Sequence, residues 1–288
     1  TNYIQKRIKI YSSEEYSYSK CGRCEDFPLK IHEGKAYLQA IANFGEDGLR
    51  TRNLLLDSGL GDPLWIFNDA ETNLIPEKSF EDFLGYGITG SVYGQRSRIP
   101  ALKLGEFEFK DIILSFPDSI AVSEIDGFKR HGSLGAQVLG RFHTVIDYPG
   151  NNLRLKPNKY LKDDFEFNMS GLVIEHSGFH MVREAAFSDR PSFQLETNNL
   201  APQETSYNLK YNLERQYRIA EVRPDSPAFR AGLQIGDLVK SINGRPVHKY
   251  SLDEISKLLS SKEGKKIKIV VKRIYGEYTK EFRLERLL

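Results

Sequence analysis

Regular patterning begins at Lys35, where Lys35-Ala36-Tyr37-Leu38-Gln39-Ala40-Ile41-Ala42 alternates at the period of a strand with one face inward. Gly45-Glu46-Asp47-Gly48 then turns the chain, and Thr51-Arg52-Asn53-Leu54-Leu55-Leu56 runs apolar toward Asp57, so the two segments predict a hairpin. Further strands are expected over Ser97–Leu104 and Phe107–Leu114, on either side of Gly105-Glu106. Two more, Thr144–Tyr148 and Leu153–Pro157, flank Pro149-Gly150-Asn151-Asn152. Helical spacing is scarce here, with short candidates at Glu77–Leu84 and Leu134–Phe142. Many short strands separated by turns predict a mainly β fold, most economically a closed or nearly closed barrel.

Beyond a polar connector at Asn158–Asp164 the pattern changes. Met169-Ser170-Gly171-Leu172 leads into an apolar start at Val173-Ile174-Glu175. From Ser177 to about Arg215 no period is sustained, which reads as a long insertion. Tyr217–Val222 is then a strand, and Ser226-Pro227-Ala228-Phe229-Arg230-Ala231-Gly232-Leu233 is a short helix with Pro near its start and Gly at its close. Gly236–Gly244 is a strand running into a Gly turn. Ser251-Leu252-Asp253-Glu254-Ile255 opens a helix with capping-box spacing and an apolar stripe of Leu252, Ile255, Leu258 and Leu259. Strands Lys266–Arg273 and Glu277–Leu284 follow, joined at Tyr275-Gly276.

A length of 288 residues suits two domains, and 40% hydrophobic with 28% charged side chains is an ordinary globular composition. The formal charge is only +2, from 41 basic and 39 acidic side chains, so no strong field would gather nucleic acid or an anionic membrane. No apolar run approaches the roughly 18 residues of a membrane span, which predicts a soluble chain. Cys21 and Cys24 are the only cysteines and lack further zinc ligands nearby, leaving a local disulfide or two free thiols. The six histidines show no metal-ligand spacing and no nucleophile elbow, so neither a metal nor a cofactor is expected.

Asp225-Ser226-Pro227-Ala228, Ala231-Gly232-Leu233, Gly236-Asp237 and Ile242-Asn243-Gly244, in this order of elements, resemble the PDZ family of bacterial proteases. The resemblance implies a PDZ domain over 164–288, a small β-barrel with two helices, interrupted by the insertion at about 177–215. It further implies that Ser170, Gly171 and Leu172 form a loop whose amides capture a peptide C-terminal carboxylate. The peptide would add a strand beside Val173 and Ile174, with its last side chain over Leu252 and Ile255.

Leu54-Leu55-Leu56-Asp57-Ser58-Gly59 is similar to the way pepsin-clan aspartic proteases present a catalytic carboxylate. Gly132-Ser133-Leu134-Gly135, Val138-Leu139-Gly140-Arg141-Phe142 and Val145-Ile146-Asp147-Tyr148-Pro149 resemble the closing half of bacterial retropepsin-like domains. This likeness implies a retropepsin-like acid-protease barrel over 27–160, after an N-terminal extension at 1–26. It implies an aspartic endopeptidase of protein or peptide substrates, in which Asp57 meets its symmetry mate across a homodimer and the pair activates water. Ser58 and Gly59 would hold the catalytic loop, and Gly85, Gly87, Ile88, Gly90 and Gly94 would form a flap over substrate. A periplasmic or extracellular bacterial location with the leader removed is expected from the same likeness. The competing expectation is a catalytically inactive scaffold that binds peptide in the PDZ groove.

Overall fold

The structure is a computed structural model that describes residues 1–12, 14–68, 74–87, 90–118, 124–125, 128–186 and 208–288. It divides into two compact units, Thr1–Phe167 with Leu287–Leu288, and Asn168–Arg286.

In the first unit, β1 (Glu25–Pro28) and β2 (Lys30–His32) precede β3 (Lys35–Asn43) and β4 (Leu49–Leu56). β3 and β4 form the expected antiparallel hairpin, in register from Tyr37 opposite Leu55 to Asn43 opposite Leu49. Ala36, Leu38, Ala40 and Ala42 all point into the core, as the alternation requires. β5 (Leu64–Ile66), β6 (Ser79–Gly87), β7 (Gly90–Leu104) and β8 (Phe107–Pro117) follow, then the short pair β9 (Glu124–Ile125) and β10 (Phe128–Lys129). β11 (Gly132–Leu134), α1 (Ala136–Leu139), β12 (Phe142–Asp147) and β13 (Asn152–Pro157) complete the unit.

The main sheet runs β2-β3-β4-β11-β5-β8-β7-β6, and β3 also pairs with β7. Six strands therefore close on themselves around Leu54, Leu64, Ile66, Leu102, Ile112, Leu114 and Leu134, each fully buried. β11 threads between β4, which it meets in parallel, and β5, which it meets antiparallel. Gly132 makes that passage possible, because a Cβ there would lie 2.0 Å from the Trp65 carbonyl oxygen. β1, β13 and β12 form a separate three-stranded sheet. Cys21 and Cys24 are joined as a disulfide just ahead of β1.

Glu77–Leu84, expected as a helix, is mostly strand: β6 pairs with β7 from Ser79 opposite Ser97 to Gly87 opposite Gly90. Phe80, Phe83 and Leu84 have helical spacing, but Gly85 and Gly87 are poor helix formers, and the long partner strand satisfies the backbone instead. The helix expected within Leu134–Phe142 is the single turn of α1.

The second unit holds β14 (Leu172–Ala186), β15 (Asn208–Val222), α2 (Pro227–Arg230), β16 (Leu238–Ile242), β17 (Arg245–Pro246), α3 (Leu252–Leu259), β18 (Lys266–Arg273) and β19 (Gly276–Arg283). Its sheet runs β14-β15-β16-β18-β19, with β17 paired to β16. The insertion was expected at 177–215. β14 and β15 pair from Leu172 opposite Val222 out to Ala186 opposite Asn208, so both flanks of that segment form one antiparallel ribbon. Residues 187–207 lie outside the described residues.

Candidate functional site

The second unit is built around Leu172, Tyr217, Ile219, Ile242, Ile255, Leu259, Ile267 and Ile269, each 2% exposed or less. Burial of a side chain of this size contributes about 1.5–3 kcal/mol, so together they hold the sheet and helices of the unit firmly. The Tyr217 hydroxyl donates 2.8 Å to the Tyr250 carbonyl, which ties β15 to the approach of α3. Asp237, only 3% exposed, accepts two bonds from Arg273 and one from the Gln234 amide, pinning the loop before β16 to β18.

α3 is set by its first turn. Ser251 Oγ accepts from the Glu254 amide, and the Glu254 carboxylate accepts from the Ser251 amide, the reciprocal box read from the sequence. The helix packs against β14, with Ile255 and Leu259 buried and Leu252 left 41% exposed. Among the described residues, β14 pairs with no strand other than β15, so its second edge is open. An open strand edge beside an apolar helix stripe is a groove that can accept an extended chain: backbone amides and carbonyls on one wall, Leu252 on the other.

The loop leading into β14 is tightly held. Met169 N donates to Leu259 O, and the carbonyls of Met169, Ser170 and Gly171 accept from Glu285, Ala228 and Arg223 amides. The Asn168 side chain closes the rest. Its Oδ1 accepts from the Ser170 amide at 3.0 Å and the Ser170 hydroxyl at 2.6 Å, and its Nδ2 donates to the Leu172 carbonyl at 2.5 Å. Ser170 Oγ in turn accepts the Leu172 N–H at 3.0 Å. Gly171 sits at φ 78°, where glycine carries no steric cost, and a Cβ there would lie 2.2 Å from Ser226 Cβ.

Residues 218–273 match the PDZ domain family. The C-terminal unit therefore carries a PDZ domain. The "Probable CtpA-like serine protease" of Staphylococcus haemolyticus (strain JCSC1435) is 37% identical over 73 residues, which are 25% of this chain and 14% of that protein. The chain thus spans about one seventh of that relative. Solved structures of an HtrA-type protease, AlgW with a decapeptide, and of the serine endoprotease from Yersinia pestis are similar at 13% and 10% identity. They cover 91% of this chain each and 79% and 85% of their own, at TM-scores of 0.30 and 0.29, too low to define the fold or chemistry here.

Within the PDZ unit, the sequence-predicted residues separate into two sets. Leu172 and Ile255 are core, at 1% and 2% exposure, whereas Val173 and Ile174 are half-buried and Leu252 is open. Asn168, which sequence reasoning missed, turns out to organise the loop. Asn and Ser side chains beside a glycine compete for local backbone groups, and that composition was the available signal.

The aspartic endopeptidase expectation is corrected. The curated relative that shares a segment with this chain is a serine protease by name. Asp57 follows β4, and its Oδ1 accepts from the Gly59 and Leu60 amides at 3.0 and 3.2 Å, capping the turn that carries Ser58 and Gly59. Burial lowers the Arg130 pKa, and Tyr37 and Asp57 counter that shift. A closed strand ring is also no evidence of the retropepsin family, since barrels of many families close that way.

The homodimer expected to supply a second Asp57 loses its reason with that mechanism; the flap was expected at Gly85–Gly94. The segment is a ribbon of β6 and β7, with Gly85 and Gly90 at positive φ. Ile88 lies outside the described residues. Gly94 is required by packing, since a Cβ there would lie 2.1 Å from the Phe116 carbonyl oxygen on β8. Among the described residues no helix is long and apolar enough to cross a membrane.

Proposed function

We propose that the PDZ unit recognises peptide segments in extended conformation, taking each as an added strand on the open edge of β14 and against Leu252 of α3. The observation that supports this most is the edge position of β14 beside an exposed leucine on a helix whose Ile255 and Leu259 are buried. Main-chain bonds to the strand would supply affinity, and the Leu252 wall with half-buried Val173 and Ile174 would select apolar side chains. Recognition of peptide as the role of the unit also fits the protease that shares part of this sequence. An exported bacterial location is the companion proposal, and it rests on that relative alone.

Titration of the full chain with short peptides ending in Leu or Val, followed by amide shifts in nuclear magnetic resonance, tests the groove. Shifts should concentrate at Val173, Ile174, Leu252 and Ile255. A saturating response elsewhere with these residues still, or no response at all, would remove this reading.

A further inference from the structure

The geometry points to a groove that does not depend on a free peptide C-terminus: Asn168 and Ser170 engage the Ser170 and Leu172 amides on either side of Gly171, so the loop lacks the paired donors a carboxylate needs and the PDZ unit takes internal or blocked segments equally well. This rests on the groove reading above and narrows its ligand class.

A carboxylate held by a loop needs N–H donors that are satisfied by nothing else. Of the amides entering β14, that of Met169 is spent on Leu259 O, that of Ser170 on Asn168 Oδ1, and that of Leu172 on Ser170 Oγ, which leaves the Gly171 amide as a single loop donor where a carboxylate needs at least two. The Leu172 bond matters most, because Ser170 is 0% exposed and its hydroxyl is already committed as a donor to Asn168. Binding a carboxylate at Leu172 would require breaking that bond and leaving a buried oxygen unsatisfied, which cancels much of the gain. The loop thus mimics an occupied state with its own side chains, and Asn168 and Ser170 act as positioning residues through the Leu172 amide.

Affinity absent at the loop is available along the strand. β14 continues as an edge to Ala186, past an irregularity between His176 and Phe179, with Phe179 and Met181 60% and 66% exposed beyond it. A segment longer than a peptide terminus finds more backbone to pair with and more apolar surface to cover. Internal segments profit from that length, and four terminal residues do not.

The experiment compares one N-acetylated hydrophobic octapeptide ending in Leu as free acid and as C-terminal amide, against the full chain by fluorescence anisotropy. Acid and amide should bind within about twofold of each other, whereas a carboxylate-reading loop would favour the acid by about tenfold or more. Ser170→Ala releases the Leu172 amide and should create a preference for the acid while amide-peptide affinity stays near its starting value, which also reports that the variant is folded. Asn168→Ala is the second variant, freeing the Ser170 amide, and should move the ratio in the same direction. If the natural chain prefers the acid about tenfold, the inference is overturned and the groove reading stands. If neither form binds, the groove reading fails and this inference with it.

Discussion

Arg96 Nη1 lies 2.8 Å from Asp62 Oδ1, with the two side chains 9% and 12% exposed, and Arg96 Nε reaches Asp82 at 3.0 Å. Burial works against the Arg96 charge, but Asp62 and Asp82 outweigh it and hold the pKa above its ordinary value. Asp62 also accepts from Trp65 Nε1 and the Ser115 hydroxyl, so one carboxylate joins β5, β7 and β8. Removing a single partner from a buried pair is far more damaging than removing both. Asp62→Ala should cost about 3–5 kcal/mol in urea unfolding, and Asp62→Ala with Arg96→Met should cost less than the sum of the two single changes. Additive losses would show that the charges do not support one another.

The groove makes a contrast between neighbours on α3. Leu252 is 41% exposed and Ile255 is 2% exposed, one helical turn apart. Ile255→Ala should destabilise the PDZ unit by about 2–5 kcal/mol through the cavity it leaves. Leu252→Lys should change stability by no more than about 0.5 kcal/mol, as exposed substitutions do, yet reduce peptide affinity severalfold. Equal effects of Leu252→Lys on folding and binding, measured by thermal melts and anisotropy, would count against a ligand-facing role.

What the sequence could disclose was what is local. The Ser251–Glu254 box, the β3–β4 hairpin and the glycine turns are all decided within a few residues, and each is present in the structure. Asp62 and Arg96 meet across 34 positions, a relation no spacing rule reaches. The ribbon of β14 and β15 was hidden for another reason: its outer strands lean on each other rather than on a core, so no alternation of apolar and polar positions marks them. Leu54-Leu55-Leu56-Asp57-Ser58-Gly59 misled because an apolar strand ending in Asp-Ser-Gly serves a capped turn as well as a catalytic loop.

The capping box gives the PDZ unit an acid-sensitive element. Bonds from the Ser251 amide, then its hydroxyl, with help from Arg245, hold the Glu254 carboxyl below its ordinary 4.5. A carboxyl lowered in the folded state binds fewer protons there than when unfolded, so it adds stability above about 4.5, which drains away as pH falls through the folded value. Glu254→Gln keeps an acceptor at the same position but cannot titrate. Thermal midpoints followed downward from neutral pH should therefore fall less steeply in Glu254→Gln than in the natural chain. Ser251→Ala should lower stability by about 1 kcal/mol at neutral pH. Parallel acid limbs for the natural chain and Glu254→Gln would mean that another group governs the loss.

Asp57 separates a turn from a catalyst. Its Oδ1 accepts from both Gly59 and Leu60 amides, and Leu60, 8% exposed, is packed beside Gly135 by that turn. An asparagine keeps an acceptor oxygen in the same place, so Asp57→Asn should cost less than about 1 kcal/mol, whereas Asp57→Ala forfeits both bonds and should cost about 1–3 kcal/mol. Neither change should alter peptide affinity under the groove reading, whose residues all belong to the other unit. If Asp57→Asn proves as harmful to stability as Asp57→Ala, the negative charge facing Arg130 is what the fold requires, since only that property distinguishes the two natural-sized side chains. Denaturant titration of the three proteins at one pH decides between the capped turn and the charge.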